Sequence, residues 1–282
     1  MKAFFGMGLL GSNFVKAMLK RGDEVQVWNR TYSKATDLEP FGAKAFQNSV
    51  DAVKDADIIH LTLKDDDSVN DVLQNAGAGL KPGATIIDHT TTSKAGAVER
   101  TEAWKKKGFT YQHAPVFMGP PDALNANGYM LISGDQAVIH QLEPELSKMT
   151  GKVLNFGAET GKAAAMKLIG NAFLVTFTAG LVDVLSLAKA MDTPTADLQT
   201  LFADWNPVAL LSARLRRMTT ADHSKPSWEL NMARKDTRLF METAAHANAH
   251  LAVLPAIATL MDRWIEKGYG SNDWTVIAKE AE

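Results

Sequence analysis

The stretch Lys2-Ala3-Phe4-Phe5-Gly6-Met7-Gly8-Leu9-Leu10-Gly11 runs a short apolar segment straight into a GxGxxG pattern. Apolar residues then recur at three- and four-residue intervals over 12–21, so the glycines stand where a strand closes and a helix opens. That context gives each glycine a task. The first permits the tight turn, the second lets backbone come close to an anionic group, and the third lets helix and strand pack tightly, with the helix N-terminus facing the anion. Gly6, Met7, Gly8, Leu9, Leu10 and Gly11 therefore predict a phosphate-binding turn of the dinucleotide type.

The surrounding pattern agrees. Short apolar runs at 24–28, 58–63, 85–88, 110–113, 129–133 and 153–156 alternate with helical periodicities at 68–73, 94–107 and 136–149. Such alternation predicts an α/β fold of Rossmann type, a doubly wound, mostly parallel sheet with helices on both faces, because parallel neighbours need crossover connections. After Phe156 no strand pattern follows, and helical segments are separated by Asp192-Thr193-Pro194, Asn206-Pro207, Lys225-Pro226 and Gly268-Tyr269-Gly270. We expect a cofactor domain over 1–160, a long linking helix over 161–190 and an all-helical domain over 191–282. The run 163–182 is apolar enough to suggest a membrane span, but Lys167 and Asn171 within it would be costly against lipid. A helix buried between domains is expected instead, and no membrane.

Composition narrows the function classes. Over 282 residues, Lys+Arg 30 against Asp+Glu 32 gives a net charge of -2, which leaves no global positive field to gather nucleic acid. The chain has no cysteine, which excludes disulfides, thiolate metal sites and cysteine nucleophiles and fits a reducing compartment. The opening residues lack a long apolar stretch followed by a small-residue cleavage site, so cytoplasm is the expected location.

An NAD site usually carries an acidic residue about 20 positions after the glycines, holding the ribose 2′-hydroxyl. Trp28-Asn29-Arg30-Thr31 stands there instead. Arg30 offers a planar fork suited to phosphate oxygens; Asn29 and Thr31 can donate further hydrogen bonds, and Lys34 adds charge. NADP(H) is the expected cofactor. Leu63 and Lys64, in Leu61-Thr62-Leu63-Lys64-Asp65-Asp66-Asp67, and Thr90 to Ser93 follow other strands at the carboxyl ends where such sheets bind ligands. The three aspartates read as helix capping, and the hydroxyl cluster as an N-cap with one or two groups turned to ligand.

Lys167 and Asn171 are four residues apart and share one helix face among Ala, Met, Leu, Ile and Phe. Read from this helix alone, the lysine either snorkels to the surface or serves as general acid for a reduction, giving a proton to an oxygen that gains charge as hydride adds to carbon. His246 and His250 have an i, i+4 spacing on a helical pattern over 241–256, but neither a glutamate pattern nor a third ligand accompanies them. No metal is expected.

Together these motifs resemble the β-hydroxyacid dehydrogenase family, which includes 3-hydroxyisobutyrate dehydrogenase, tartronate semialdehyde reductase and glyoxylate/succinic semialdehyde reductases and is related to 6-phosphogluconate dehydrogenase. The matching pieces are the glycine turn, Val27-Trp28-Asn29-Arg30-Thr31, Asp88-His89-Thr90-Thr91, and Gly161-Lys162-Ala163-Ala164-Ala165-Met166-Lys167-Leu168-Ile169-Gly170-Asn171, with Ala233-Arg234-Lys235-Asp236 and Gly268-Tyr269-Gly270-Ser271-Asn272-Asp273 near the end. The resemblance implies that Lys167 is catalytic, Asn171 contacts substrate, Thr91 lies beside the nicotinamide, Lys235 reaches the cofactor cleft, and the enzyme is a homodimer or homotetramer. It implies an NADP-dependent reductase converting an aldehyde, keto acid or semialdehyde to a hydroxy compound. One loop departs from the family. Where members carry Asp-Ala-Pro-Val-Ser-Gly-Gly to grip a carboxylate, this chain reads His113-Ala114-Pro115-Val116-Phe117-Met118-Gly119-Pro120-Pro121. Phe117, Met118 and Gly119 are the candidate substrate residues of that loop. Bulky apolar groups there suit a less polar substrate unless Phe117 points into the core. The loop is similar to that of imine reductases, which is the alternative activity, although the retained Lys167 favours carbonyl chemistry. A cofactor-binding sensor without turnover is the reading from a different class.

Overall fold

The computed structural model describes residues 1–220 and 222–279. The chain divides into two compact units, Met1–Ala172 and Phe173–Glu282.

In the first unit, β1 (Lys2–Phe5), β2 (Val25–Trp28), β3 (Lys44–Phe46), β4 (Ile58–Leu61), β5 (Thr85–Asp88) and β6 (Thr110–His113) form one six-stranded sheet in the order β3-β2-β1-β4-β5-β6. All its pairings are parallel. Successive side chains of a strand point to opposite faces, and both faces are covered. Phe4, Val27 and Ile87 join Phe14 of the helix Leu9–Lys20 in one apolar cluster. Phe5, Ile59, Leu61 and Ile86 join Val69 and Leu73 in the other. Burial on both sides explains why these strands read as unbroken apolar runs. Strand order reverses between β1 and β4, and the crevice beyond their carboxyl ends is where a sheet of this kind places a ligand.

Two strands escaped the sequence pattern. β3 is a three-residue edge strand that begins with an exposed lysine, too short to show alternation. β7 (Val116–Phe117) has two residues and pairs antiparallel with β8 (Tyr129–Ile132), which pairs parallel with β9 (Lys152–Asn155). The 129–133 and 153–156 runs therefore do not extend the main sheet but build a second one of three strands. Pro115 stands at the break between β6 and β7 and has no N–H to offer a ladder.

The helix Lys162–Ala190 is 29 residues long, and the unit boundary falls inside it, between Ala172 and Phe173. Ala163 and Ala164 of its first turn are buried, but Ile169 is 62% and Val175 70% exposed in the single chain. By length and composition alone it is long and apolar enough to cross a membrane.

In the second unit, Leu230, Ala233, Met261, Trp264 and Val276 form a core between the helices Leu230–His246 and Leu254–Trp264 and the C-terminal turn Trp274–Ala278. The buried Asp183 carboxylate accepts the backbone N–H groups of Ala252, Val253 and Leu254 at 2.6, 2.9 and 2.8 Å. Burial pushes its pKa upward, but these donors hold it below the ordinary carboxylate value. The helical pattern over 241–256 is broken. The helix stops at His246, Asn248 adopts φ 51°, and the next helix starts at Leu254, so His246 and His250 share no helix face.

Candidate functional site

Three backbone features shape the glycine turn. Gly6 has φ 95°, and a Cβ there would lie 2.1 Å from the Thr62 carbonyl oxygen. A Cβ on Gly11 would lie 2.0 Å from the Gly6 oxygen and 2.3 Å from Thr62 Oγ1. Thr62 itself locks the arrangement, its hydroxyl donating to the Gly6 carbonyl at 2.9 Å, a role the sequence pattern did not signal. Gly8 differs, since a Cβ there would meet nothing within 4 Å. It precedes the helix Leu9–Lys20 and no side chain caps the first turn. Open space in front of free helix N–H groups fits a pyrophosphate.

Gly6 and Gly8 line a cavity of about 590 Å³ together with Asn29, Arg30, Thr31, Lys34, Leu63 and Lys64. Arg30 is exposed and in no ion pair among the described residues. Asn29 accepts the Met7 N–H at 2.9 Å and donates one amide hydrogen to the Thr31 carbonyl at 2.9 Å, which leaves its second amide hydrogen over. It thereby braces the turn that it lines. Met7 is buried in the core and Leu10 packs against it, while Leu9 is 80% exposed. Lys64 is exposed and pairs with Asp65 at 3.3 Å.

Of the three aspartates, Asp65 caps the helix Asp66–Ala76 as expected. Asp65 accepts the Ser68 N–H at 2.9 Å, and Asp66 accepts the Ser93 N–H at 2.8 Å and pairs with Arg100 at 2.8 Å. In the hydroxyl cluster, Thr90 accepts from the Leu63 N–H at 2.9 Å, Thr92 meets His113 at 3.2 Å, and Ser93 caps the next helix through the Gly96 N–H at 2.9 Å. Thr91 is the one member whose hydroxyl has no partner among the described residues, and it is only half-buried.

Beneath these strand ends lies a histidine pair whose contact no spacing rule revealed. His89 Nδ1 donates to the Ala114 carbonyl at 2.9 Å, which leaves its Nε2 to accept from His60 Nδ1 at 3.0 Å. Both rings are buried and stack with Phe4. Burial lowers the His89 pKa to about 4 and holds His60 well below its ordinary value.

Lys167 is 9% exposed. Its ammonium donates to Asn171 Oδ1 at 3.1 Å and lies 4.2 Å from the centroid of the Phe117 ring. It has no ion-pair partner among the described residues, and burial draws its pKa down. The lysine does not snorkel free, and Phe117 turns to this helix. A Cβ on Gly170 would lie 2.3 Å from Phe117 Cζ. Met118 packs against the main apolar cluster. Gly119 cannot offer its amide, which donates to Asp122 Oδ2 at 2.8 Å. In the second unit, Lys235 pairs with Asp236 at 2.7 Å.

Comparison with known proteins adds to this geometry. A family model described as the NAD binding domain of 6-phosphogluconate dehydrogenase matches residues 2–157. Uncharacterized oxidoreductase YfjR of Bacillus subtilis is 28% identical, with 98% of each chain covered. Glyoxylate/succinic semialdehyde reductase 2 of Arabidopsis thaliana is 30% identical over 66% of this chain and 52% of its own length. An imine reductase from Myxococcus stipitatus in complex with NADP+ superimposes with a TM-score of 0.90 over 100% of both chains at 23% identity. Its V8 variant, in complex with NAD+, gives 0.88 over 100% of this chain and 99% of that one at 22%. At such identity the likeness speaks for the fold. The match over residues 2–157 spans more than half of the chain, and the protein belongs to the family of the NAD binding domain of 6-phosphogluconate dehydrogenase, as an NAD(P)-binding oxidoreductase.

Proposed function

We propose that the protein is an NADP-dependent reductase that converts an aldehyde, keto acid or semialdehyde to a hydroxy compound, with Lys167 as general acid and, in reverse, general base. The observation that carries this reading is a buried ammonium held by an amide oxygen, with no carboxylate to neutralise it among the described residues. A bound dinucleotide supplies the hydride. Lys167 gives a proton to the oxygen that gains charge, and is reprotonated from water afterwards. Burial favours the neutral amine, so proton release is easier than from an exposed lysine. Asn171 takes one of the three ammonium hydrogens and fixes the direction of the others. Arg30 faces the cavity with its fork free and would hold a 2′-phosphate, and the unpartnered Thr91 hydroxyl is offered to nicotinamide or substrate.

The test is oxidation of NADPH and NADH in the presence of glyoxylate, succinic semialdehyde and a cyclic imine. Lys167→Ala should lower kcat by about 10²–10⁴-fold while NADPH binding persists. Unchanged turnover in that variant would remove the assignment, and a wild type that binds NADPH but turns over nothing would favour the sensor reading. The Phe117 ring against Lys167 favours imine reduction as the second reading, because it replaces a polar anion cradle by an apolar wall. Turnover of the cyclic imine alone would decide for it. We further propose a homodimer or homotetramer in the cytoplasm. Exposed Ile169, Leu174 and Val175 on one helix support self-association, and light scattering would give the mass.

A further inference from the structure

We propose that Phe117 is a positioning residue for Lys167, its ring face holding the ammonium so that a free N–H is aimed at substrate. The proposal rests on Lys167 being the general acid.

Three observations converge on it. The Phe117 backbone is held in the second sheet by its pairing with Tyr129, so the ring departs from a fixed strand. The ring tip lies on the backbone of Gly170, where a Cβ would come within 2.3, 3.0 and 3.2 Å of Cζ, Cε1 and Cε2. The Lys167 ammonium sits over the ring face at 4.2 Å. Lys167, Gly170 and Asn171 occupy positions i, i+3 and i+4 of one helix and share a face, so ring, glycine, ammonium and amide form one assembly.

Glycine in a helix interior is destabilising relative to alanine, and at Gly170 the backbone is helical and needs no special φ. What the missing Cβ provides is room for the ring. An aromatic face attracts a cation through its quadrupole, most strongly where water is excluded. The Asn171 oxygen takes one hydrogen at 3.1 Å and the ring faces the charge from another side, leaving the ammonium a restricted set of directions. Phe117, Gly170 and Asn171 are all neutral, and no carboxylate, histidine or second cation bears on this amine among the described residues. The ring is therefore the group whose removal should be felt in its titration.

The test separates the ring's quadrupole from its bulk. Phe117→Leu keeps apolar volume and loses the π face. Reduction should slow about 3–10-fold in kcat with KM for NADPH unchanged, and the pH at which reduction declines should fall by about half to one unit, since a cation–π contact of ordinary strength favours the charged amine by that much. Gly170→Ala pushes the ring aside and should reproduce the Phe117→Leu shift even though Phe117 is present. In Phe117→Ala/Gly170→Ala the two losses should not add, because the alanine at 170 then meets no ring. The same pKa change can be read without turnover by NMR titration of lysine labelled at Cε, with the Lys167 resonance assigned by Lys167→Arg. Wild-type kcat and titration in Phe117→Leu would overturn the proposal. Activity surviving Lys167→Ala would instead overturn the reading beneath it, and the two failures are distinct.

Discussion

Gly11 and Gly170 both lie inside helices, and at both a methyl group would collide, but with different kinds of atom. At Gly11 the obstacle is the Gly6 carbonyl oxygen at 2.0 Å, part of a backbone locked between β1 and Thr62. At Gly170 it is the tip of the Phe117 ring at 2.3 Å, a side chain that can turn about its χ angles. Similar distances thus carry dissimilar costs. The cofactor turn is a rigid backbone construction, whereas the lysine site is an adjustable side-chain construction. Gly11→Ala should therefore show the largest effect on stability, about 3 kcal/mol or more of overpacking with no route of relief, read as a fall in urea midpoint at constant m. Gly170→Ala should cost about 1 kcal/mol or less, since the ring yields and alanine has the better helix propensity. Gly8→Ala, with open space at its Cβ, should fold normally and lose cofactor affinity. Equal destabilisation at positions 11 and 170 would break the distinction between the two regions.

The same distinction explains what could be read in the sequence. The turn was legible because its demands fall on neighbouring residues. A strand, the glycines and a helix follow one another, and only glycine satisfies the positive φ of Gly6 and the close approach at Gly11. Lys167 and Asn171 were legible as a pair because helix geometry alone puts residues four apart on one face. The Phe117 contact was not, since the two segments are distant in the chain and Phe117 lies in β7, a strand of the second sheet too short, at two residues, to be read. Thr62 was hidden for a related reason. Its hydroxyl serves a carbonyl on the adjacent strand, and that register is set by pairing, not by spacing. The apolar composition of the long helix reports that its faces need cover without saying whether its own chain supplies it.

The two regions also hold two kinds of buried base. Lys167 is 9% exposed with one amide acceptor, while the His60–His89 pair is fully sealed and neutral. For the histidines the sign is fixed by their lowered pKa values. The unfolded chain takes up protons below about pH 6.5, whereas folded His89 does so only near pH 4. Their contribution to stability is therefore complete above pH 6.5 and is lost as pH falls through about 4. From His89 alone the loss approaches about 3 kcal/mol, with His60 adding in the same direction. Urea midpoints measured from pH 7 to pH 4.5 should decline throughout. A flat profile over that range would mean that the pair is solvated or already protonated.

The smallest expected effect lies on the exposed rim of the turn region. Arg30 has no ion-pair partner among the described residues and faces the cavity, so its contribution should appear only when a 2′-phosphate is present. Charge-assisted hydrogen bonds are worth about 1.5–3 kcal/mol, and exposure pulls that toward the lower bound, so Arg30→Ala should raise KM for NADPH about tenfold. KM for NADH should hardly change. Lys34, a point charge on a flexible stem instead of a planar fork, should contribute only about two- to threefold when replaced by alanine. Both effects should shrink as ionic strength rises, because solvent-exposed charges are screened over about 10 Å at 0.1 M salt. A loss that is equal for NADPH and NADH, or indifferent to salt, would show that Arg30 shapes the turn itself, and the rim would then belong with the rigid backbone construction of Gly6 and Gly11.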